Sequence, residues 1–232
     1  MSTQHLPLPG TPVEDLDTPA LLIDAAAADD NIRKMQAWCD AHGVGLRPHG
    51  KTHKSPYWAH KQLQAGAIGL CASKVSEAEA LADGGVPDIM VTSEIVGRPK
   101  IQRLMSLAKR ANIIVAVDDP ANVRGLSEAA VAHGATLGAI AEVNVGQDRC
   151  GTLPGEATTA VARAIDSAPG LRFDGLMGYE GHLMAVRDRE ERAASARQAM
   201  QHLLSAADAV LAAGLPVNIL TAGGTGTYDV TG

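Results

Sequence analysis

The stretch NIIVAVDDP, residues 112–120, indicates the fold class most directly. Residues 113–117 are apolar without alternation, which is typical of a strand buried on both faces in a parallel sheet covered by helices. Pro120 suits the first turn of a helix, because the N–H that proline lacks would be unused there. A buried strand that leads directly into a helix is the building unit of an α/β protein.

The same alternation of a short apolar run and a helical pattern continues along the chain. The predicted strands are residues 44–49, 68–72, 88–92, 112–117, 137–145, 173–179 and 217–222. The predicted helices are residues 29–42, 56–65, 75–83, 99–110, 121–133, 156–167 and 190–213. This repeat favours an α/β fold of the (β/α)8 TIM-barrel type with seven strands visible. Because such a barrel closes by pairing its first and eighth strands, we expect residues 1–232 to be an incomplete barrel domain, part of a longer protein.

Composition excludes several classes of function. The net charge of −6 disfavours a general nucleic-acid surface. No apolar run approaches the roughly 18 residues that span a bilayer, so no membrane segment is expected. The three cysteines lie far apart and form no CxxC pair, which predicts a cytoplasmic protein without disulfides or a cysteine zinc site.

The segment RPHGKTHK, residues 47–54, follows the first predicted strand. Loops at the carboxyl ends of barrel strands carry the chemistry of this fold. Burial at the rim and nearby cations would lower the pKa of Lys51, and a neutral amine attacks carbonyl groups. Lys51 is therefore a candidate for Schiff-base formation, and His53 is a candidate for moving a proton. The alternative is a solvated turn without a chemical role.

The segment TAGGTGT, residues 221–227, follows the last predicted strand. Its glycines allow backbone N–H groups to converge on an anion, and its threonine hydroxyls add donors. Phosphate sites in such barrels lie after the late strands. The candidate phosphate-binding residues are Thr221, Gly223, Gly224, Thr225 and Gly226. The alternative is a flexible turn, and the segment lacks the ending of a Walker loop.

Two further loops carry polar candidates. Arg149, in GQDRCG at residues 146–151, could hold an anionic oxygen or simply pair with Asp148. Tyr179, in GYEGH at residues 178–182, could stack on a flat ring or donate a hydrogen bond to it.

Other polar residues in these loops give weaker indications. Glu180 and His182 form a poor metal signature by themselves. Cys150 is better explained as a small packing residue than as a nucleophile. Glu142, near a strand end, is as consistent with packing as with function.

A lysine and an anion-binding loop at one barrel mouth together describe a pyridoxal 5′-phosphate (PLP) site, because PLP offers an aldehyde and a phosphate. With these motifs the chain resembles the D-threonine aldolase / D-serine dehydratase-like family of fold-type III PLP enzymes, whose barrel is similar to the alanine racemase N-terminal domain. The most specific matching blocks are residues 47–54 and 223–227. The other blocks are residues 17–24, 74–79, 117–123 and 149–151.

The resemblance implies a role for each candidate. Lys51 would form the Schiff base, and Gly223–Gly226 would hold the phosphate. Arg149 would approach the phenolic oxygen of PLP, Tyr179 would lie beside its ring, and His53 would act as a base. The implied reaction is retro-aldol cleavage of the Cα–Cβ bond of a D-3-hydroxy amino acid, which yields glycine and an aldehyde. A homodimer is the corresponding expectation for assembly.

Members of that family continue into a C-terminal β-domain that supplies a divalent-metal pair. Dependence on Mn, Mg or Zn is therefore expected of the intact protein only, and no metal ligand is assigned in this chain. Several alternatives stay open. A D-serine or 3-hydroxy-D-aspartate dehydratase or a racemase would use the same scaffold, while a non-catalytic PLP carrier or an inactive fragment would not turn substrate over.

Overall fold

The computed structural model describes residues 7–232 and shows six parallel strands in one sheet, ordered β1-β2-β3-β4-β5-β6. The strands are β1 Leu70–Ala72, β2 Asp88–Val91, β3 Asn112–Val117, β4 Leu137–Val143, β5 Leu171–Gly178 and β6 Ile219–Thr221. The helices are α1 Ala25–His42, α2 Pro56–Ala65, α3 Val75–Asp83, α4 Arg98–Ala108, α5 Pro120–His133, α6 Glu156–Asp166, α7 Arg189–Ala212 and α8 Tyr228–Thr231. Each strand pairs with the next in sequence, so the sheet is a curled partial barrel with an α/β fold.

The predicted strand at residues 44–49 is wrong as a regular strand. The chain does run beside β1 there, since the N–H of Cys71 donates to the carbonyl of Pro48 at 2.8 Å. His49 forms only an isolated parallel bridge with Cys71. Pro48 has no N–H to give to a ladder, which keeps this segment irregular. The sheet therefore has six strands rather than seven, but the loop that carries Lys51 still begins at the edge of β1.

Local sequence signals set the helix boundaries. Asp24 accepts a hydrogen bond from the N–H of Ala27 at 2.9 Å, so α1 begins at Ala25, four residues before the predicted start. Gly43 and Gly134 follow α1 and α5 in the left-handed conformation, with φ of 70° and 58°. A residue with a Cβ pays a steric penalty in that conformation, which is why glycine ends these helices.

The main core lies between the sheet and the helices. Leu70, Ile89, Ile113, Leu137 and Ile165 are all fully buried there. Each such side chain contributes roughly 1.5–3 kcal/mol through removal of apolar surface from water. Among the described residues, no helix combines the length and the apolar character required to cross a bilayer.

A second, smaller apolar cluster lies on the other face of the sheet, inside the curl. It consists of Met90, Ile114, Ala116, Ile140 and Met177. Because side chains alternate along a strand, residues two positions further on share this inner face. Thr92, Asp118, Glu142, Tyr179 and Thr221 follow from that spacing as the inner residues at the carboxyl edge.

The amino edge of the curl is filled by ion pairs. Arg47 pairs with Asp88, whose second oxygen accepts from the amide of Asn112 at 2.7 Å. Arg172 donates to Asn112 at 3.1 Å and pairs with Asp174 at 2.5 Å. A register shift between β4 and β5 lets Arg172 and Asp174 share this position. Charged groups thus block the amino edge, and the carboxyl edge remains for binding.

Candidate active site

All predicted cofactor residues lie at the carboxyl edge of the sheet. Lys51 follows His49, which bridges to β1, and Arg149 lies in the loop after β4. Tyr179 directly follows β5, and Thr221 is the last residue of β6. Because the strands are parallel, these positions share one edge.

The glycine loop, residues 222–227, is folded around one buried hydroxyl. Thr227 Oγ1 donates to Glu180 Oε1 at 2.5 Å and accepts from the N–H of Gly224 at 3.1 Å. The N–H of Thr227 in turn donates to the carbonyl of Gly224 at 3.1 Å. Thr227 is 1% exposed and Glu180 is 0% exposed. The shape of the loop is therefore set by the protein itself.

This loop offers free backbone donors. Within residues 7–232, the N–H groups of Gly223, Thr225 and Gly226 donate to no protein acceptor. Successive backbone N–H groups left free in a turn can form an anion-binding concavity. A Cβ on Gly224 would lie 3.3 Å from Tyr179 Cε2, a tight contact that glycine avoids, so the backbone of the loop runs close to the ring. The loop therefore fits a phosphate group.

Arg149 and Tyr179 form a second part of the same surface. The guanidinium carbon of Arg149 lies 5.6 Å from the centre of the Tyr179 ring, within cation–π range. Tyr179 contacts the glycine loop on one side and Arg149 on its face. The structure thus brings together three of the predicted elements, which are an anion cradle, an aromatic ring and a cation.

The lysine loop, residues 50–55, differs from the sequence-based expectation. Lys51 is exposed, so the burial expected to lower its pKa is not observed. Its backbone N–H donates to His49 Nδ1 at 3.3 Å, and His49 Nε2 lies 3.1 Å from Thr92 Oγ1. Burial, assisted by the charge of Lys51, lowers the pKa of His49 to about 4. No sequence pattern points to His49, yet its neutral ring accepts a hydrogen bond from the backbone of Lys51.

His53 is directed toward α2. Its Nδ1 accepts from the N–H of Ser55 at 3.1 Å, which places the ring proton on Nε2, 3.2 Å from Gln62 Oε1. Burial lowers the pKa of His53, so the ring is neutral at pH 7. No contact joins His53 to Arg149 or Tyr179 among the described residues, and its role as a base stays a prediction.

Comparison with known proteins identifies the family of this chain. The family model described as "Alanine racemase, N-terminal domain" matches residues 23–229. The chain belongs to this family. The match includes both loops and the Arg149–Tyr179 pair.

Relatives within the alanine racemase N-terminal domain family are similar over nearly the whole chain. D-threonine aldolase of Arthrobacter sp. is 42% identical over 95% of this chain, and 3-hydroxy-D-aspartate aldolase of Paracoccus denitrificans is 41% identical over 95%. The crystal structure of D-threonine aldolase from Filomicrobium marinum has a TM-score of 0.93 at 41% identity, over 94% of this chain and 59% of that one. The chain spans 58% of the length of both curated relatives.

This family member also contains a partly buried cluster whose members the sequence does not group together. Potential ligand atoms of Glu94, Glu142 and Cys150 lie within 4.8 Å of one another. Burial and the neighbouring Glu94 raise the pKa of Glu142 to about 8, and burial raises the pKa of Cys150 to about 12. Cys150 would bind a metal only as a thiolate, and Glu142 only as a carboxylate, and this environment disfavours both charged forms. A charged residue inside the apolar run at residues 137–145 was the signal available in the sequence.

Glu180 is the second functional candidate that sequence reasoning undervalued. The sequence suggests a metal ligand, an acid/base group or a solvated loop residue, whereas in the structure Glu180 is buried and accepts a hydrogen bond from Thr227 of the glycine loop. An isolated glutamate in a loop has no sequence pattern that predicts a role in supporting another loop.

Proposed function

We propose that this chain is the PLP-binding barrel of an aldolase that cleaves D-3-hydroxy amino acids. Two relatives above 40% identity, named D-threonine aldolase and 3-hydroxy-D-aspartate aldolase, support this proposal. The family is PLP-dependent. The observation that carries the proposal is the preformed glycine loop with its free N–H groups, which lies against Tyr179 at the sheet edge that also carries Arg149 and Lys51.

Different residues of this chain are proposed to bind different parts of PLP. The N–H groups of Gly223, Thr225 and Gly226 bind the phosphate, with Thr221 and the Thr225 hydroxyl as further donors. Arg149 holds the phenolic oxygen, and Tyr179 lies beside the ring. When bound, PLP supplies the electron sink for cleavage of the Cα–Cβ bond.

Lys51 offers the amine that captures the cofactor aldehyde. Its exposure leaves the side chain free to reach across the edge, while His49 fixes its backbone. His53 is proposed as a base, and a homodimer and a divalent metal from outside this chain are proposed for the intact protein.

Cofactor attachment tests this proposal. The protein is incubated with PLP, reduced with borohydride, and digested for peptide mass mapping. We expect the pyridoxyl mass on the peptide that contains Lys51, and its loss in Lys51→Ala. Lys54→Ala is the matched control, because Lys54 is also exposed but pairs with Glu77 at 2.8 Å. Label on Lys54 or on another lysine of the wild-type protein would contradict the assignment.

The reaction is tested with D-threonine in the presence of divalent metal. Glycine and acetaldehyde support the aldolase. A dehydratase is the second candidate, because the D-threo-3-hydroxyaspartate dehydratase from Delftia sp. HT23 superposes with a TM-score of 0.84 at 31% identity. Formation of 2-oxobutyrate instead would favour that candidate.

A further inference from the structure

Two carboxyl groups, one half-buried and one buried, lie close together at the carboxyl edge of the sheet. Glu142, on β4, is 3% exposed, and Glu94 lies in the loop after β2. Their closest carboxyl oxygens and the sulfur of Cys150 lie within 4.8 Å of one another. Glu142 Oε2 and Glu94 Oε1 are both buried and have no hydrogen-bond partner.

Within residues 7–232, one of the four carboxyl oxygens has a protein donor. The thiol of Cys150 donates to Glu142 Oε1 at 2.8 Å. Two ionised carboxylates at this separation repel each other, and buried oxygens without donors are costly. A single proton held between the two groups removes the repulsion and gives an acceptor its donor.

Arg149 supplies the positive charge beside this pair. It precedes Cys150 in the chain, and its pKa is raised by Cys150 first and then by the charges of Glu142 and Glu94. A carboxyl pair that keeps one proton carries one negative charge, which balances the one positive charge of the guanidinium.

We propose that Glu94 and Glu142 share one proton at neutral pH, and that the single negative charge left on the pair orients Arg149 over Tyr179. Both glutamates are positioning residues that act through Arg149. The part of the inference that concerns Arg149 and the cofactor rests on the proposed function, whereas the shared proton does not.

The titratable and charged groups around Glu142 come from the loops that follow three strands. Arg149 and Cys150 follow β4, Asp118 follows β3, and Glu94 follows β2. Asp118 Oδ2 accepts from the N–H of Gly151 at 2.9 Å, so it is held by its own donor. Burial and Glu94 raise the pKa of Glu142 from 4.5 to about 8, with Arg149 opposing that shift.

The first test measures the proton in cofactor-free protein. The unfolded chain releases this proton near pH 4.5, while the folded chain keeps it to about pH 8. Folded protein therefore binds more protons in this window, and its stability falls as pH rises. For each pH unit in this window, we expect the unfolding equilibrium constant of the wild type to rise by up to about tenfold relative to that of Glu142→Gln. Glu128→Gln, an exposed glutamate, is the charge-matched control and should retain the wild-type slope.

An infrared titration detects the same proton directly in the wild-type protein. The wild-type protein should show a protonated-carboxyl band at pH 7 that disappears as pH rises through about 8 and is absent from Glu142→Gln. A wild type without this band, or an unchanged pH slope in Glu142→Gln, would overturn the shared proton.

The second test measures PLP binding by variants in which the Glu94–Glu142 pair keeps one negative charge or none. Glu94→Gln and Glu142→Gln each leave one carboxylate, so each should bind PLP about as tightly as the wild type. The double variant leaves none and should bind PLP at least about tenfold more weakly. Equal losses in single and double variants would overturn the positioning of Arg149. If no variant and no wild-type protein binds PLP, the proposed function fails while the proton result stands.

Discussion

The two loops proposed to hold the cofactor differ in how the protein supports them. The glycine loop is tied to the buried Glu180 through Thr227. The lysine loop places Lys51 in solvent, and only its backbone is bound, through His49. A long side chain brings its amine to a target by rotation, whereas backbone N–H groups point where the fold directs them. Binding a phosphate with peptide groups therefore requires a fixed loop, and covalent capture by lysine does not.

The largest effect is expected from breaking the support of the glycine loop. Thr227→Val removes the donor to a fully buried glutamate and should lower the free energy of unfolding by about 1–3 kcal/mol in urea titrations without cofactor. Thr225→Val is the matched control, because Thr225 is exposed and its hydroxyl has no partner among the described residues. The control should change stability by less than about 0.5 kcal/mol. Equal losses of stability in both variants would mean that the Thr227 hydroxyl does not stabilise the loop.

A smaller effect is expected from the lysine loop. The folded pKa of His49, about 4, lies below its ordinary value of 6.5. As pH falls from 6.5 to 4, the unfolded chain takes up a proton that the folded chain refuses, so stability is lost in this window. Since His49 is partly exposed, we expect it to account for about 1 kcal/mol of that loss.

Stability curves of His49→Gln between pH 6.5 and 4 measure this contribution. The variant should lose about 1 kcal/mol less than the wild type, while His202→Gln, at an exposed histidine, should follow the wild type. A His49→Gln curve parallel to that of the wild type would show that this ring is not held neutral.

The sequence predicted most of the fold because its signals are local. The strand at residues 112–117 and the helices at 56–65 and 75–83 are confirmed at both ends, since buried apolar runs and glycine ends depend on nearby residues. The strand at residues 44–49 was wrong because a proline within it outweighs the pattern around it.

The candidate site could be predicted only in part. Glycine-rich and lysine-rich loops have recognisable patterns, and the structure places both at one edge of the sheet. The residues that support these loops have no recognisable pattern. Glu180 contacts Thr227 across 47 positions of sequence, and Glu94 lies near Glu142 although α4, β3 and α5 separate them along the chain. Such pairs are created by the curl of the sheet.

Comparing PLP with pyridoxal, which lacks the phosphate, tests the central claim most directly. Labelling of Lys51 after reduction is measured with both aldehydes in the wild type and in Gly224→Ala, whose Cβ would lie 3.3 Å from Tyr179 Cε2. The wild type should prefer PLP by at least about tenfold, and Gly224→Ala should lose much of that preference while pyridoxal labels Lys51 as before. Equal labelling of Lys51 by both aldehydes in the wild type would show that the two loops do not hold one molecule, and would contradict the account.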